Sequence, residues 1–326
     1  MRAVLLHEFG PPAQLRVADV PTPRPAEGEV AVQVAVVGVQ FLETQVRAGT
    51  MRGALGGAPL PVILGKEIAG LVAEVGPGVD TALVGARVLA GTTGLGGYAE
   101  TAVVPAGTLI PVDEGIGLPE AVALYRYGVT AQGLIRAARV TAGDRVLVLA
   151  AAGAVGTILV QLLKRAGATV VAAARGEHKL ALLGKLRADH VVDYTLPRWT
   201  DRVRDAVGGS VDVVFDHVGG ALGRESFELL TPGTGRQIAF GFSSGTPLRV
   251  GPMELVGRGL TLTGFSAGLI WSRPALARDL VTEVLELAAA GQLTPVIGQR
   301  LPLERAADAH AAIEARRTVG KTLLIP

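Results

Sequence analysis

Two glycines, Gly153 and Gly156, stand between an apolar segment and a helical one, in the order that binds a dinucleotide. Residues 145–151 have the composition of a buried strand, and residues 168–174 predict a second strand after the helix. Gly153 would let the backbone approach a pyrophosphate, and Gly156 would let the helix pack closely on the strand. Ala151 replaces the first glycine of the usual pattern. The two remaining glycines therefore indicate a dinucleotide site only because a strand precedes them and a helix follows. A glycine turn in an unrelated α/β protein is the alternative.

The end of the second predicted strand distinguishes between the two nicotinamide dinucleotides. NAD enzymes usually place Asp or Glu about 20 residues beyond the first glycine, and no acid stands at this strand tip. Arg175 and Lys179 are instead placed to bind a 2′-phosphate. Glu177 is expected in the first turn of the next helix, where the helix dipole favours an acid. We therefore predict NADPH (NADP) as cofactor; the alternative is that both cations are ordinary solvated charges.

The elements that position these residues divide the chain into two predicted parts. Residues 1–120 contain short, closely spaced strands with Gly/Pro turns, which predicts a mainly antiparallel β domain. Strands and helices then alternate to about residue 265, which predicts a doubly wound parallel sheet and an α/β fold. The predicted strands of this part are 145–151, 168–174, 190–193, 211–216, 236–241 and 260–265. Helices at 274–290 and 303–316 and strands at 295–301 and 320–326 are predicted to follow.

Composition excludes several classes of protein. The chain has 326 residues, 49% of them hydrophobic, and no cysteine, which excludes disulfides, a catalytic thiol and thiolate metal sites. The net charge of +2, without a basic run, argues against nucleic acid as partner. No apolar run is long enough to span a membrane, and the first residues predict a strand rather than a signal peptide, so we expect a cytoplasmic protein.

Eight segments occur in the order found in one known superfamily. They are Met1-Arg-Ala-Val, Phe9-Gly-Pro-Pro, Gly65-Lys66-Glu67-Ile68-Ala69-Gly70, Ala150-Ala-Ala-Gly153-Ala-Val-Gly156, Val191-Val-Asp-Tyr194, Phe215-Asp-His-Val-Gly219, Phe240-Gly-Phe-Ser-Ser-Gly245 and Gly320-Lys-Thr-Leu-Leu-Ile-Pro. With them the whole chain resembles the zinc-independent quinone oxidoreductase branch of the medium-chain dehydrogenase/reductase superfamily. The resemblance implies a GroES-like catalytic domain (1–122), a Rossmann cofactor-binding domain (123–265) and a C-terminal return to the catalytic domain (266–326), with NADPH and substrate bound between them.

The resemblance also implies which residues bind the cofactor. Core packing is the alternative for Phe240 and Phe242, although their spacing of two puts both on the same face at the end of the strand, so we expect at least one to line the cleft. The implied cofactor-binding residues are Thr130, Gly153, Ala154, Val155, Gly156, Arg175, Lys179, Tyr194, Phe240, Phe242 and Lys321.

Catalytic zinc is not expected. Zinc members of the superfamily hold the metal with Cys and with a His before the Glu of a G-H-E motif, whereas here that position is Lys66. The five histidines do not fall at ligand spacing, and we expect them to be surface or supporting residues.

Three side chains are candidates for the proton donor or for polarising a substrate carbonyl. Tyr127 ranks first, Gln40 second and Lys66 third, and Arg126 between two tyrosines could bind an anionic substrate group. The alternatives are packing of both tyrosines at a domain interface, and a structural pairing of Lys66 with Glu67.

The sequence therefore predicts an NADPH-dependent, zinc-free oxidoreductase that reduces a quinone or an α,β-unsaturated carbonyl by hydride transfer, with a role in secondary metabolism. Two alternatives stay open: a redox-inactive cyclase, isomerase or dehydratase acting on a biosynthetic intermediate, and a non-enzymatic binding protein. A homodimer is expected from the resemblance, with the predicted edge strand 259–264 as a pairing surface.

Overall fold

The computed structural model describes residues 1–55, 58–92 and 95–326, which form sixteen strands and ten α-helices. The strands are β1 (Arg2–Leu6), β2 (Leu15–Asp19), β3 (Glu29–Val39), β4 (Val62–Ile63), β5 (Glu67–Val75), β6 (Arg87–Gly91), β7 (Thr101–Pro105), β8 (Ile110–Pro111), β9 (Arg145–Val148), β10 (Thr169–Ala174), β11 (His190–Asp193), β12 (Val213–Asp216), β13 (Arg236–Ala239), β14 (Thr261–Gly264), β15 (Ile297–Pro302) and β16 (Lys321–Ile325). The helices are α1 (Phe41–Ala48), α2 (Leu118–Ala138), α3 (Ala154–Arg165), α4 (Glu177–Lys185), α5 (Trp199–Val207), α6 (Gly220–Phe227), α7 (Pro252–Arg258), α8 (Gly268–Trp271), α9 (Pro274–Ala289) and α10 (Ala306–Glu314).

The chain packs as two compact units. The first contains residues 1–126 and 285–326, and the second contains residues 127–284. Both divisions fall inside a helix, the first in α2 and the second in α9. The predicted boundaries at 122/123 and 265/266 lie where the sequence pattern changes. The observed divisions lie inside continuous helices, where the sequence pattern does not change.

The first unit is built on antiparallel β structure. Its larger sheet has the order β15-β16-β3-β5-β6-β8, with β7 also paired to β3, and β15–β16 is its parallel pair. A smaller sheet has the order β2-β1-β4. The core between these layers is rich in valine because β-branched side chains suit a pleated surface. The predicted antiparallel β domain is present.

The second unit contains a six-stranded parallel sheet of order β11-β10-β9-β12-β13-β14. The chain moves outward in one direction from β9 to β11 and in the other from β12 to β14, so the order reverses between β9 and β12. In sheets of this kind ligands bind outside the carboxyl ends of the strands at this reversal. The predicted doubly wound sheet is confirmed.

Two local predictions need correction. The sequence pattern predicts one helix from Pro119 through Ala123 and a second over 130–138, whereas residues 118–138 form the single helix α2. Gly128 inside it faces Val284 so closely that a Cβ would lie 2.6 Å from a valine methyl. Strand β13 ends at Ala239, two residues earlier than predicted, so the alternation of faces does not reach Phe240 and Phe242. Strand β14 does lie at the sheet edge, but its pairing with a second copy stays a prediction.

No helix in the described ranges is both long enough and apolar enough to cross a membrane.

The two oppositely charged side chains of Lys321 and Glu67 are buried together in the first unit. They are 1% and 0% exposed, and Lys321 Nζ donates to Glu67 Oε1. Replacing Lys321 by Met is expected to lower the free energy of unfolding by about 3–5 kcal/mol, because a buried carboxylate then loses its counter-ion. Urea denaturation followed by circular dichroism measures the change.

Arg305→Ala is the matched control, because Arg305 pairs with Asp308 at the surface of the same unit and both side chains are 58% exposed. Its expected cost is below about 1 kcal/mol. Equal losses of unfolding free energy in the two variants would show that the buried pair stabilises the protein no more than the exposed pair does.

Candidate active site

The dinucleotide loop has the geometry that the glycine motif predicts. Helix α3 begins at Ala154 with Gly153 as its N-cap, and no side chain caps it. The N–H groups of its first turn therefore have no partner inside the helix and face outward. A Cβ at Gly156 would lie 2.5–2.6 Å from backbone atoms of Ala151, so only glycine allows this approach of helix to strand. This uncapped N-terminus fits a pyrophosphate.

The residues predicted to bind a 2′-phosphate come together at the carboxyl end of β10. Tyr194 N–H donates to Ala174 O over 3.3 Å, which places Tyr194 beside the residue preceding Arg175. Arg175 is exposed, and Lys179 is half-buried in the first turn of α4. The structure thus groups Arg175, Lys179 and Tyr194 at one corner of the second unit.

Asp193 is an acid at this corner that the sequence reasoning overlooked. Its Oδ2 accepts from Gly176 N–H at 2.8 Å, and its Oδ1 accepts from both the N–H and the hydroxyl of Thr195. These hydrogen bonds, together with the charge of Arg175, lower the pKa of Asp193 against the opposing effect of burial. Each oxygen of Asp193 thus accepts a hydrogen bond from within the unit, which fixes the backbone at this corner.

A buried carboxylate also shapes the loop after β12. Asp216 Oδ1 accepts from the N–H groups of Val218 and Gly219, both at 2.8 Å. The loop places His217 against Phe240, with ring centroids 5.2 Å apart. Phe240 is half-buried there, whereas Phe242 is 55% exposed. The Phe242 ring is therefore the more accessible of the two.

In the first unit, Glu43 holds two of the three catalytic candidates. Its Oε2 accepts from Gln40 N–H at 2.8 Å and its Oε1 from Lys66 N–H at 3.0 Å. Tyr98 donates its hydroxyl to the same Oε2 at 2.7 Å. The two oxygens of one buried carboxylate thus bring the start of α1 and the residue preceding β5 side by side.

The hydrogen-bond network continues from Glu43 into helix α10. Tyr98 Oη lies 3.0 Å from His310 Nε2, and His310 is fully buried. Burial raises the pKa of Glu43 to about 7 and lowers that of His310 to about 3. The histidine is therefore neutral. His310 is thus a buried supporting residue, one of the two kinds of position expected for the histidines.

Gln40 and Lys66 both present hydrogen-bond donors that have no acceptor in the described part of the chain. Gln40 Nε2 is buried and makes no hydrogen bond there. Lys66 is half-buried, and its Nζ has neither a hydrogen bond nor an ion pair with any described residue. Glu67 pairs with Lys321, so the alternative that Lys66 is the structural partner of Glu67 is wrong. Free donors of this kind are suited to a substrate oxygen.

The remaining predicted site residues have these positions. Tyr127 is half-buried and Thr130 is buried, both on α2 within the second unit. Tyr125 is 4% exposed, which agrees with the packing alternative for that tyrosine. Lys321 is in the buried pair described above, and its predicted role toward the cofactor stays a prediction.

Metal ligation has no support in the residues present. The chain contains no cysteine, and within the described ranges no three His, Asp or Glu side chains are grouped so as to hold a metal ion. A zinc ion does not fit a site in which Lys66 occupies the ligand position.

The sequence reasoning missed Glu43, Tyr98, His310 and Asp216. Glu43 lies three residues after Gln40, the spacing of a capping box, and this was the one available signal. Tyr98 and His310 depend on contacts between distant parts of the chain, whereas Asp216 accepts hydrogen bonds from the backbone two and three residues later.

The raised pKa of Glu43 leads to a testable pH dependence of stability. A carboxyl with a pKa of about 7 in the folded chain, against an ordinary value of 4.5, binds more protons folded than unfolded between these pH values. Raising the pH through this window therefore lowers the free energy of unfolding, by at most about 3 kcal/mol. Urea denaturation across the window should show this fall in the natural chain and not in Glu43→Gln.

Glu114, an exposed carboxyl of the same unit, supplies the control. Glu114→Gln should retain the pH dependence of the natural chain. A Glu43→Gln variant with that same dependence would contradict the assignment.

Comparisons with known proteins agree with this fold. The alcohol dehydrogenase GroES-like domain matches residues 26–114, and the zinc-binding dehydrogenase family matches residues 186–324. The 2-haloacrylate reductase of a Burkholderia species is 33% identical over 99% of this chain and 98% of that protein. The quinone oxidoreductase of Pseudomonas aeruginosa is 32% identical over 98% of this chain and 97% of its own.

Solved structures extend the similarity to the whole fold. Escherichia coli quinone oxidoreductase complexed with NADPH aligns with a TM-score of 0.91 at 29% identity, covering 100% of both chains. A mycobacterial protein complexed with NADPH aligns with a TM-score of 0.89 at 33% identity, again over 100% of both. The GroES-like and Rossmann predictions are confirmed. The chain belongs to the quinone oxidoreductase branch of the medium-chain dehydrogenase/reductase superfamily.

Proposed function

We propose that this chain is an NADPH-dependent, zinc-free reductase that transfers hydride to the activated carbon of a quinone or an α,β-unsaturated carbonyl compound. The observation that carries the proposal is the uncapped N-terminus of α3, which fits a pyrophosphate. Gly156 in its first turn lets the helix lie against the backbone of Ala151. Relatives named quinone oxidoreductase and 2-haloacrylate reductase support the reaction class, and two similar structures complexed with NADPH support the cofactor.

Except for Lys321, which belongs to the first unit, the groups proposed to hold NADPH are backbone and side chains of the second unit. The first turn of α3 would donate N–H groups to the pyrophosphate, and the corner at the end of β10 would bind the 2′-phosphate through two cations. The residues proposed for cofactor binding are Thr130, Gly153, Ala154, Val155, Gly156, Arg175, Lys179, Tyr194, Phe240, Phe242 and Lys321.

When bound, NADPH supplies the hydride, and the residues of this chain control the charge that develops on the substrate. Hydride addition to the β-carbon moves an electron pair onto the carbonyl oxygen. Gln40 Nε2, buried and without an acceptor in the described chain, would donate a hydrogen bond to that oxygen. Tyr127 is the first candidate to protonate the resulting enolate, and Lys66 would add positive charge. No metal is needed because conjugation already activates the carbon.

Two further parts of this proposal concern the substrate class and the oligomeric state. The residues at positions 40, 66 and 125–127 depart from those common in the family, which favours a specialised substrate of secondary metabolism. The exposed edge strand β14 favours a homodimer.

Cofactor choice is the first test. Fluorescence titration should show that NADPH binds more tightly than NADH. Arg175→Ala should raise the dissociation constant of NADPH about tenfold and leave that of NADH unchanged, because only NADPH carries the 2′-phosphate. Arg165→Ala, an exposed arginine at the other end of α3, is the control and should change neither constant. Failure to bind either nucleotide would contradict the reductase and favour the cyclase, isomerase or dehydratase alternative.

Gly156→Ala should abolish NADPH binding, because its Cβ would overlap the backbone of Ala151 and force α3 away from the strand. Gly184→Ala in helix α4 is the control: nothing lies within 4 Å of its Cβ position, and a helical alanine is tolerated. The same titration measures both variants, with circular dichroism to confirm folding. Natural NADPH affinity in a folded Gly156→Ala protein would rule out the proposed pyrophosphate site.

A further inference from the structure

Taking the proposed reductase as its basis, we propose that Tyr98 and His310 are positioning residues of the reaction. Through the carboxylate of Glu43 they hold Gln40 in place, so that its side-chain amide can donate a hydrogen bond to the substrate oxygen. Tyr98 and His310 are both fully buried and therefore act through another residue. All four residues belong to the first unit, and the inference concerns only that unit.

The donor of Gln40 is not held at its own end. Gln40 is the N-cap of α1 and has an extended backbone, with φ −114° and ψ 148°. Its Nε2 is buried and makes no hydrogen bond within the described chain. Because no hydrogen bond at Nε2 fixes this donor, its position follows from the contacts that fix the rest of Gln40.

The carboxylate of Glu43 makes the contact that fixes the Gln40 backbone. Its Oε2 accepts from Gln40 N–H at 2.8 Å, and its Oε1 accepts from Lys66 N–H at 3.0 Å. Glu43 is only 1% exposed, so bulk water cannot replace these hydrogen bonds if the carboxylate shifts. A displacement of the carboxylate is therefore passed on to Gln40.

The Tyr98 hydroxyl holds this carboxylate. It donates to Glu43 Oε2 at 2.7 Å, and this is the oxygen that also accepts from Gln40. The Tyr98 backbone is itself held, because its N–H donates to Leu64 O and its O accepts from Val4 N–H, both at 2.8 Å. A tyrosine with its backbone bonded in both directions can fix the group that its hydroxyl contacts.

His310 keeps the Tyr98 hydroxyl directed at Glu43. Its Nε2 lies 3.0 Å from Tyr98 Oη, and the two rings meet edge to face with their centroids 5.9 Å apart. With Glu43 ionised, the hydroxyl donates to the carboxylate and its oxygen accepts from His310 Nε2–H. The imidazole is neutral, because burial lowers the pKa of His310 to about 3, so it adds no charge to the network.

The proposed reaction depends on this arrangement when negative charge forms on the substrate. Hydride addition to the β-carbon moves an electron pair onto the carbonyl oxygen, and a donor already in place stabilises that charge without having to reorient. Loss of Tyr98 or His310 should therefore lower kcat. The affinity for NADPH should stay unchanged, because the groups proposed to bind it, except Lys321, belong to the second unit.

A double-mutant cycle with Gln40 tests the inference, with NADPH oxidation measured at saturating 1,4-naphthoquinone and at saturating 3-penten-2-one. Gln40→Met should lower kcat about a hundredfold, because it removes a donor to the charged oxygen. Tyr98→Phe, which removes only the hydroxyl, should lower kcat about tenfold. In the Gln40→Met background, Tyr98→Phe should lower kcat by less than about twofold, because the residue through which it acts is gone. Equal effects of Tyr98→Phe in the two backgrounds would overturn the inference.

Matched variants show whether the effect is specific. Thr322→Val is the control: it removes a buried hydroxyl of the same unit whose partner, Gln299, lies outside the network, and kcat should not change. His310→Gln, which retains an N–H donor, should keep most of kcat, whereas His310→Leu should lower it as Tyr98→Phe does. These two variants decide the question if circular dichroism shows that Tyr98→Phe does not fold. Equal values of kcat in both would contradict the role of His310.

Hydrogen exchange of backbone amides, followed by NMR of ¹⁵N-labelled protein, separates this inference from the proposed function. The N–H groups of Gln40 and Lys66 should exchange about tenfold faster in Tyr98→Phe than in the natural chain. If the natural chain reduces neither acceptor but this exchange becomes faster, the reductase falls and the anchoring of Gln40 stands. Unchanged exchange in Tyr98→Phe overturns the inference even if quinones are reduced.

Discussion

One buried carboxylate, that of Glu43, sets the geometry on which the first unit's donors depend. Burial of an isolated carboxylate costs several kcal/mol, and here three hydrogen bonds offset part of that cost. Two of them come from the backbone of Gln40 and Lys66, so the positions of both side chains follow from where this carboxylate lies. The third, from Tyr98, connects the carboxylate to His310 on α10, which belongs to the segment that returns to the first unit after residue 284. The closing segment of the chain is therefore part of the support of the candidate donors.

The Glu43–Tyr98–His310 network can hold a proton in two arrangements. With Glu43 ionised, Tyr98 donates to it, and a neutral His310 can donate from Nε2 to the tyrosine oxygen. With Glu43 protonated, the carboxyl can donate to Tyr98, which then donates to an unprotonated Nε2. Because burial raises the pKa of Glu43 to about 7, both arrangements are populated near neutral pH. The heavy atoms need not move, so a change of protonation leaves the N–H groups of Gln40 and Lys66 anchored.

The sequence predicts those features of the fold and site that depend on residues close together in the chain. The glycine turn, the two apolar strands and the cations after β10 are short-range signals. All are present at the expected places, except that the strand predicted over 145–151 ends at Val148. The Glu43 network could not be predicted, because Tyr98 and His310 are 55 and 212 residues from their partners and neither belongs to a periodic pattern. The face of Phe240 and Phe242 was misjudged for a related reason: the residue at which β13 ends depends on pairing with its neighbours, and β-propensity does not specify it.

Two lysines of the first unit differ in whether their ammonium group forms an ion pair with a described residue. Lys321 is buried against Glu67, so the two opposite charges neutralise each other inside the protein. Lys66 stands next to Glu67 in sequence, directly before β5, yet the Glu67 carboxylate pairs with Lys321 instead. The acid of the G-x-E motif thus neutralises a lysine more than 250 residues away in the chain. The lysine beside it forms no ion pair with a described residue, and it stands at the position where zinc members of the superfamily place a metal ligand. At this position the chain itself therefore places a positive charge.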